Sequence, residues 1–256
     1  MRYVAIGDSF TEGVGDEIGA DAVRGWADLV AAGLAAGLDE PVDYANLAIR
    51  GRLIEPIVRD QLEAALALDP KPTLITFNGG GNDMMRPGFD LSKIMAFVER
   101  GIERCAEEGV RLVVLSGGDP SMRLPRGATM SERGRVYLDA VADLLERHPD
   151  LTWVDNWSDQ ELREAPYWSP DRLHLGPLGH ARVAARVLTA LGVPTELPLA
   201  GEATAAPRGT RAEARYYATY VLPWIGRRLT GRSSGDGRTP KHPNWVRIEP
   251  EAVHPG

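Results

Sequence analysis

The sequence predicts a three-layer α/β/α sandwich built on a central five-stranded parallel sheet. Five short apolar runs end at Gly or Asx residues, and amphipathic segments with apolar residues three or four positions apart lie between or after them. Strands that alternate with helices pair in parallel, because a parallel neighbour cannot be reached through a tight hairpin. The crossover helices then cover both faces of the sheet.

The predicted elements follow one another along most of the chain. The strands are expected at Arg2 to Ile6, Val42 to Ala45, Thr73 to Phe77, Leu112 to Leu115 and Thr152 to Val154. Helices are expected around Trp26 to Leu34, Ile94 to Ile102, Val136 to Leu145 and Val183 to Leu191. In sheets of this class, sites form beyond the carboxyl ends of the strands. The residues that follow each strand are therefore the candidates for chemistry.

Charge divides the chain into an acidic body and a basic extension. The 256 residues carry a net charge of −7. Residues 201–256 hold nine Lys or Arg against five Asp or Glu, a net charge of +4, which leaves −11 on residues 1–200. An acidic body argues against general nucleic-acid binding, which needs Lys and Arg to neutralise phosphates. We predict one domain over residues 1–200 and an extension over residues 201–256 that packs on it or is partly disordered.

The extension contains three recognisable pieces. Residues 211–229 could form an aromatic helix, although Pro223 should break or kink it. The stretch from Thr230 to Pro243 has no apolar side chain, which is typical of exposed loop or disorder. Trp245, Val246 and Ile248 could dock the end on the body. Peripheral contact with an anionic membrane is the alternative, but Pro223 interrupts the apolar face that it requires.

The sequence shows no pattern for secretion, membrane insertion, a metal or a cofactor. Polar residues from Asp8 onward interrupt any secretory signal, and the longest apolar run, Leu29 to Leu38, is shorter than the ~18 residues of a membrane span. A cytoplasmic protein is expected. His174 and His180 lie six residues apart, without the cysteines or acidic cluster that would complete a metal site.

The first predicted strand runs into Gly7-Asp8-Ser9-Phe10-Thr11-Glu12-Gly13. A serine at a strand end can expose its hydroxyl, and its own backbone N–H can point at a developing oxyanion. The same position also suits a serine that only caps a turn or helix. Ser9 is therefore a candidate nucleophile whose role this segment alone does not decide.

Glycine-rich segments follow the second and third strands. Asn46 to Gly51 ends in a glycine whose backbone can approach a ligand closely, and three glycines precede Asn82 and could leave its amide aimed into a site. A phosphate-binding loop would continue with Lys and Ser or Thr, and this one continues with Asp83 and Met84. Nucleotide binding is therefore disfavoured.

A short acidic-histidine motif, Asp171-Arg172-Leu173-His174, occurs late in the chain. A spacing of three lets the Asp171 carboxylate reach Nδ1–H of His174 in a tight loop, which leaves Nε2 free as a base. Such a spacing also occurs often by chance. Its combination with the preceding three segments, in order and at successive strand ends, is far more specific.

At this point the sequence resembles the SGNH hydrolases, also called the GDSL esterase and lipase family. The matching blocks are Gly7-Asp8-Ser9 with Gly13, Asn46 to Gly51, Gly80-Gly81-Asn82-Asp83 and Asp171 to His174. The resemblance covers roughly residues 1 to 195. The resemblance implies a flavodoxin-like domain in which Ser9 is the nucleophile, His174 the general base and acid, and Asp171 the group that orients His174. The oxyanion hole would comprise the backbone N–H groups of Ser9 and Gly51 and the side chain of Asn82.

The resemblance also implies hydrolysis of carboxylic esters through an acyl-enzyme. We expect short acyl or acetyl esters, because the apolar residues near the motifs offer some lining but no long channel; these are Met84, Met85, Phe89, Trp157 and Trp168. A lysophospholipase or thioesterase of the same family is an alternative. A flavodoxin-like binding protein without catalysis is another, in which the motif residues only form turns.

Overall fold

The computed structural model describes residues 1–20, 22–124, 127–193, 216–221 and 233–250. Six strands form one sheet in the order β5-β4-β3-β1-β2-β6. They are β1 (Arg2–Ile6), β2 (Val42–Asn46), β3 (Leu74–Phe77), β4 (Arg111–Leu115), β5 (Thr152–Val154) and β6 (His242–Ile248). Strands β1 to β5 pair in parallel, which confirms the predicted parallel core of the sheet.

The sheet has one strand more than the five predicted, because β6 adds an antiparallel strand at the edge formed by β2. Val42 lies opposite Ile248, and Asn46 lies opposite His242. The sequence does not predict this seven-residue strand because it contains Pro243 and only three large apolar side chains. Within the described part of the Thr230 to Pro243 stretch, residues 233–241 lead directly into this strand, and His242 and Pro243 are its first two residues.

Helices cover both faces of the sheet. They are α1 (Ser9–Glu12), α2 (Trp26–Leu38), α3 (Ile54–Pro56), α4 (Glu63–Leu66), α5 (Gly81–Met84), α6 (Leu91–Glu107), α7 (Gly127–Arg147) and α8 (Pro177–Leu191). On one face α2 and α8 bury Trp26, Leu34 and Leu188 against the sheet. On the other face the core contains Phe77, Ile94 and the other buried apolar side chains of α6 and α7. The three layers match the predicted sandwich.

The connection between β2 and β3 is helical, which the sequence does not predict. A π-helical segment, Ile57–Leu62, joins α3 to α4 and buries Ile57, Val58 and Leu62. Two features hide this helix in the sequence: Pro56 stands near its start, and the wider π turn disturbs the three- and four-residue spacing of apolar positions. Gln61 of this segment exchanges two hydrogen bonds with the backbone of Gly7, at 2.8 and 3.0 Å.

The strand order places the functional loops side by side. Strand β1 lies between β2 and β3, so the chain leaves β1 and β3 toward opposite sides of the sheet and opens a crevice at their carboxyl ends. The loops after β1, β2 and β3 all reach this edge. Of the helix considered over residues 211–229, only residues 216–221 are among those described, with a π-helical turn at Tyr217–Val221. Within the described ranges, every helix is too short or too polar to span a bilayer.

Candidate active site

Ser9 begins the short helix α1 directly after β1. Asp8 caps this helix, since its Oδ1 accepts a hydrogen bond from the N–H of Phe10 at 3.1 Å. The first N–H groups of a helix have no intrahelical acceptor. The Ser9 N–H accordingly donates to no acceptor among the described residues, and it lies beside its own hydroxyl at the open edge of the sheet.

A hydrogen-bonded chain links Ser9, His174 and Asp171. His174 Nε2 lies 2.9 Å from Ser9 Oγ, and His174 Nδ1 lies 2.5 Å from Asp171 Oδ2. The structure thus brings together residues that are 165 positions apart in the chain. A carboxylate at Nδ1 favours the tautomer with the proton on that nitrogen, and this tautomer has a free lone pair on Nε2 that can accept a proton from the serine hydroxyl.

Asp171 is held in place by several donors besides the imidazole of His174. Its Oδ1 accepts hydrogen bonds from the N–H of Leu173 at 3.0 Å, the N–H of His174 at 2.9 Å and the hydroxyl of Ser169 at 2.6 Å. Burial opposes the ionised form, but the hydrogen bond and charge of His174 outweigh it and hold the pKa of Asp171 well below its usual range. Asp171 is therefore an ionised, fixed partner of the imidazole.

A tight loop produces the three-residue spacing of this pair. The loop is closed by a bridge between Trp168 and Leu175 and by the Ser169 N–H, which donates to the His174 carbonyl at 2.9 Å. Arg172 adopts a φ of 62°, in the left-handed region that only a small fraction of non-glycine residues occupy. This turn points the side chains of Asp171 and His174 toward each other.

Gly51 presents a second backbone donor at the same edge. Its φ of 76° is a conformation that glycine adopts without steric cost. Among the described residues its N–H has no acceptor, as is also true of Ser9. Two uncommitted N–H groups at the ends of β1 and β2 are suited to a developing negative charge.

The side-chain amide of Asn82 is already engaged. Its Nδ2 donates to Asp8 Oδ2 at 2.8 Å and to the carbonyl of Arg52 at 3.0 Å, which uses both of its hydrogens. Asp83 accepts a hydrogen bond from the N–H of Ile54 at 3.0 Å and so holds the loop against α3. Asn82 is thus placed next to Asp8, but it is not an uncommitted donor as the two backbone groups are.

The family assignment comes from the sequence that spans all these residues. The sequence profile of the GDSL-like Lipase/Acylhydrolase family matches residues 5–182, which include Ser9, Gly51, Asn82, Asp171 and His174. This chain belongs to the GDSL-like lipase/acylhydrolase family. Membership makes the protein an ester hydrolase, as the sequence predicts. No protein with a curated function matches the chain in sequence.

Solved structures of lipases and esterases share the fold of this GDSL-like hydrolase. Lipase Lip_vut3 from a goat rumen metagenome superposes with a TM-score of 0.57 at 21% identity, over 74% of this chain and 97% of its own. Esterase EstA from Pseudoalteromonas sp. superposes with a TM-score of 0.57 at 16% identity, over 75% of this chain and 96% of its own. The acetylxylan esterase Axe2 from Geobacillus stearothermophilus superposes with a TM-score of 0.57 at 19% identity, over 75% of this chain and 94% of its own. Catalytic mutants of Axe2 replace a serine, an aspartate or a histidine.

The apolar residues expected to line the site of this hydrolase are largely buried elsewhere. Met84 and Trp157 belong to one core cluster, and Trp168 belongs to the other and donates its indole N–H to the Leu162 carbonyl. Phe89 packs against the same cluster as Met84, beneath the guanidinium of Arg133. These side chains therefore stabilise the fold rather than provide an acyl channel.

The cavity beside Asp171 is small and partly polar. Its volume is about 270 Å³, and its walls include the side chains of Glu17, Ser169, Asp171 and Tyr220. Among the described residues, no group of three or more His, Cys, Asp or Glu side chains is arranged to hold a metal ion. The described part of the site is thus an open sheet edge with a small recess beside Asp171.

Sequence reasoning missed three residues that shape the site of this hydrolase. Asp8, next to Ser9, holds Asn82, and burial raises its pKa to about 6. Glu12 is buried and accepts hydrogen bonds from both the guanidinium and the backbone N–H of Arg50, the latter at 2.6 Å. Asp8 and Glu12 lie in the segment that follows the first strand, so proximity to Ser9 is the signal that could have found them. Arg50 carries no local signal because its partner lies 38 residues earlier.

Proposed function

We propose that this hydrolase cleaves short-acyl carboxylic esters through an acyl-enzyme formed on Ser9. The observation that carries the proposal is the continuous chain from Ser9 Oγ through His174 to Asp171, with distances of 2.9 and 2.5 Å. It supports nucleophilic catalysis because a serine hydroxyl is a weak nucleophile until an adjacent base accepts its proton. The match of the surrounding residues to an acylhydrolase family supports the same chemistry.

Acylation uses Ser9 as nucleophile and His174 as base. Ser9 Oγ forms a bond to the ester carbonyl carbon, the π electrons move onto the carbonyl oxygen, and His174 Nε2 takes the hydroxyl proton. When the carbonyl re-forms, the bond to the alcohol oxygen breaks and His174 returns the proton to that oxygen. The ionised Asp171 carboxylate stabilises the imidazolium that exists between these two events.

Deacylation repeats the sequence with water. His174 removes a proton from water, the resulting hydroxide adds to the acyl carbon, and collapse of the intermediate breaks the bond to Ser9 Oγ. His174 then returns the proton to Ser9. The products are a carboxylic acid and the free serine hydroxyl, so atoms and protons balance without any cofactor.

The oxyanion is stabilised by the backbone N–H groups of Ser9 and Gly51, with Asn82 as a third donor. The two backbone groups have no acceptor among the described residues and are preorganised for this task. Asn82 joins them by turning one amide hydrogen away from the Arg52 carbonyl, while its bond to Asp8 is kept. Catalytic hydrogen bonds often tighten only when substrate is bound.

Short acyl groups fit the described surroundings of Ser9 best. The nearby apolar side chains are packed into the two cores, and the residues that line the recess beside Asp171 include the acidic Glu17 and the polar Ser169. A long acyl chain needs continuous apolar surface to replace its contact with water. We expect the rate for 4-nitrophenyl esters to be highest at acetate or butyrate and to fall by octanoate. A maximum at palmitate would favour a lysophospholipase-like or long-chain thioesterase activity instead.

The deciding experiment labels the nucleophile. The protein is treated with an organophosphate, and intact mass and peptide mapping are compared with those of Ser9→Ala and of Ser131→Ala, a control at an exposed helix position. One adduct on Ser9 in wild type and Ser131→Ala, with none in Ser9→Ala, is expected. Activity of Ser9→Ala toward 4-nitrophenyl acetate should be about 10⁴-fold or more below wild type. Absence of both labelling and esterase activity in wild type would favour a binding protein.

A further inference from the structure

The C-terminal arm, residues 233–248, reaches the edge of the sheet where Ser9 lies. Because β6 pairs antiparallel to β2, its first residue, His242, lies opposite Asn46, the last residue of β2. The residues that precede β6 must then lie beyond the carboxyl end of β2, where the Arg50-Gly51 turn runs. The arm lies outside the residues that match the family profile.

The arm contacts the Arg50-Gly51 turn directly. Ser233 Oγ lies 3.4 Å from the Gly51 carbonyl, and Gly235 packs so closely on the Arg50 carbonyl that a Cβ there would collide with it. A Cβ on Gly51 would in turn collide with Ser233 Oγ. The arm therefore supports the turn that carries one of the two uncommitted N–H groups.

Lys241 extends from the same arm into the connection between α1 and α2. Its ammonium donates to the carbonyls of Glu12 at 2.7 Å, Val23 at 3.3 Å and Arg24 at 2.5 Å, and also to the Asp28 carboxylate. The side chain is only 17% exposed. An ammonium has three hydrogens, and these four acceptors use all of them.

Glu12 connects this ammonium to the turn that bears Gly51. Its carbonyl, in the last residue of α1, accepts from Lys241, and its carboxylate accepts from the side chain and backbone of Arg50. Ser9 is the first residue of the same one-turn helix. The path from Lys241 thus reaches both the Ser9 helix and the Arg50-Gly51 turn within one residue, Glu12.

We propose that Lys241 is a positioning residue for the oxyanion hole. Its ammonium holds the N–H groups of Ser9 and Gly51 at the separation that the reaction requires. The inference rests on the proposed function, since it assigns those two groups to the oxyanion. Displacement of a catalytic group by about 1 Å costs on the order of 10²-fold in rate. Loss of Lys241 should act on the transition state and leave ground-state binding of the ester nearly unchanged.

The test compares Lys241→Met with Arg247→Met. Methionine keeps the unbranched stem but cannot donate, and Arg247 is a cation of the same arm that is 61% exposed on β6. For Lys241→Met we expect kcat for 4-nitrophenyl acetate to fall about 10- to 100-fold, with KM within about threefold. Affinity for phenylboronic acid, which forms a tetrahedral adduct with an active-site serine, should fall by the same factor as kcat/KM. Arg247→Met should match wild type in all three.

Each other outcome has a defined meaning. Unchanged kcat and boronate affinity in folded Lys241→Met, with Ser9→Ala inactive, would overturn the positioning role. Equal losses in Lys241→Met and Arg247→Met would also overturn it, because they would indicate general loosening of the arm. An active Ser9→Ala would instead reject the proposed function. If Lys241→Met does not fold, Lys241→Gln replaces it, because the shorter neutral amide cannot reach all four acceptors of the ammonium, and it must give the same paired loss.

Discussion

The amide of Asn82 lies 2.8 Å from the carboxylate of Asp8, the residue that immediately precedes Ser9. The amide donates its second hydrogen to the carbonyl of Arg52, the residue after Gly51. One side chain therefore ties the loop after β3 to the loops after β1 and β2. An oxyanion formed at Ser9 would compete with the Arg52 carbonyl for an N–H that is already close by.

Replacement of Asn82 by alanine should impair catalysis without abolishing it. We expect kcat for 4-nitrophenyl acetate to fall about 10²- to 10³-fold, the cost of one oxyanion donor, because the backbone donors remain. Asn244→Ala, at an exposed position of β6, provides the control and should behave as wild type. A kcat for Asn82→Ala within about twofold of wild type would show that the amide never leaves its two present acceptors.

Replacement of Asp171 by asparagine should be much more damaging than removal of the hydroxyl that supports it. Asparagine preserves the shape but offers an N–H or a neutral carbonyl to His174 Nδ1, and we expect kcat to fall about 10⁴-fold. Ser169→Ala removes one of the hydrogen bonds to Asp171 and should lower kcat less than about tenfold. Steady-state kinetics on the two variants gives the ratio, and equal losses would contradict the assigned roles.

Alanine substitutions at two glycines with the same φ distinguish the cost of backbone strain from the cost of a side-chain collision. Gly51 and Gly192 both have a φ of 76°, but a Cβ on Gly51 would meet Ser233 and Ser234, whereas one on Gly192 would meet nothing within 4 Å. Gly192→Ala should cost about 1–2 kcal/mol of unfolding free energy and leave kcat unchanged. Gly51→Ala should cost at least as much and also lower kcat about 10- to 100-fold. Urea unfolding and steady-state kinetics measure both quantities, and an unchanged kcat for Gly51→Ala would count against the oxyanion assignment.

Two buried groups should give opposite pH dependences of stability. Burial raises the pKa of Asp8 from 3.8 to about 6, so between these values the folded state keeps a proton that the unfolded state has lost. Stability from this group therefore falls as pH rises from about 4 to 6. Burial lowers the pKa of His180 from 6.5 to about 4, so the unfolded state binds more protons, and stability rises with pH over nearly the same interval.

Single substitutions should reveal the two opposing slopes. Relative to wild type, Asp8→Asn should gain unfolding free energy as pH rises from about 4 to 6, and His180→Gln should lose it. Each slope is on the order of 1.4 kcal/mol per pH unit at most. Urea unfolding at pH intervals of about 0.5 measures the differences. Parallel curves for wild type and both variants would show that neither group changes its proton affinity on folding.

Local patterns in the sequence predict the parallel sheet well, because each buried strand carries its own apolar run. Strands β1 and β5 begin and end at the predicted residues. The family resemblance selects residues in the loops that follow the strands. The topology of a parallel sheet brings these loops together at one edge. Ser9 and the Asp171-His174 pair could therefore be predicted from the sequence.

The remainder depends on partners that are remote in the chain. Lys241 stands in a stretch without apolar side chains, which predicts exposure, yet carbonyls more than 200 residues away surround its ammonium. Asn82 has the expected position, but its acceptors at Asp8 and Arg52 cannot be read from its own loop. A local sequence pattern shows only a residue and its neighbours in the chain. These interactions depend on residues that are distant in the sequence and close in the fold.

The antiparallel strand β6 also determines where a shortened version of this hydrolase could safely end. Removal of everything after residue 193 would leave β2 with one row of unpaired N–H and C=O groups beside Val42 and Tyr44. Exposed strand edges of this kind recruit other chains. A gene trimmed to the region that matches the family profile would therefore yield a protein that self-associates through β2, in addition to any loss of activity.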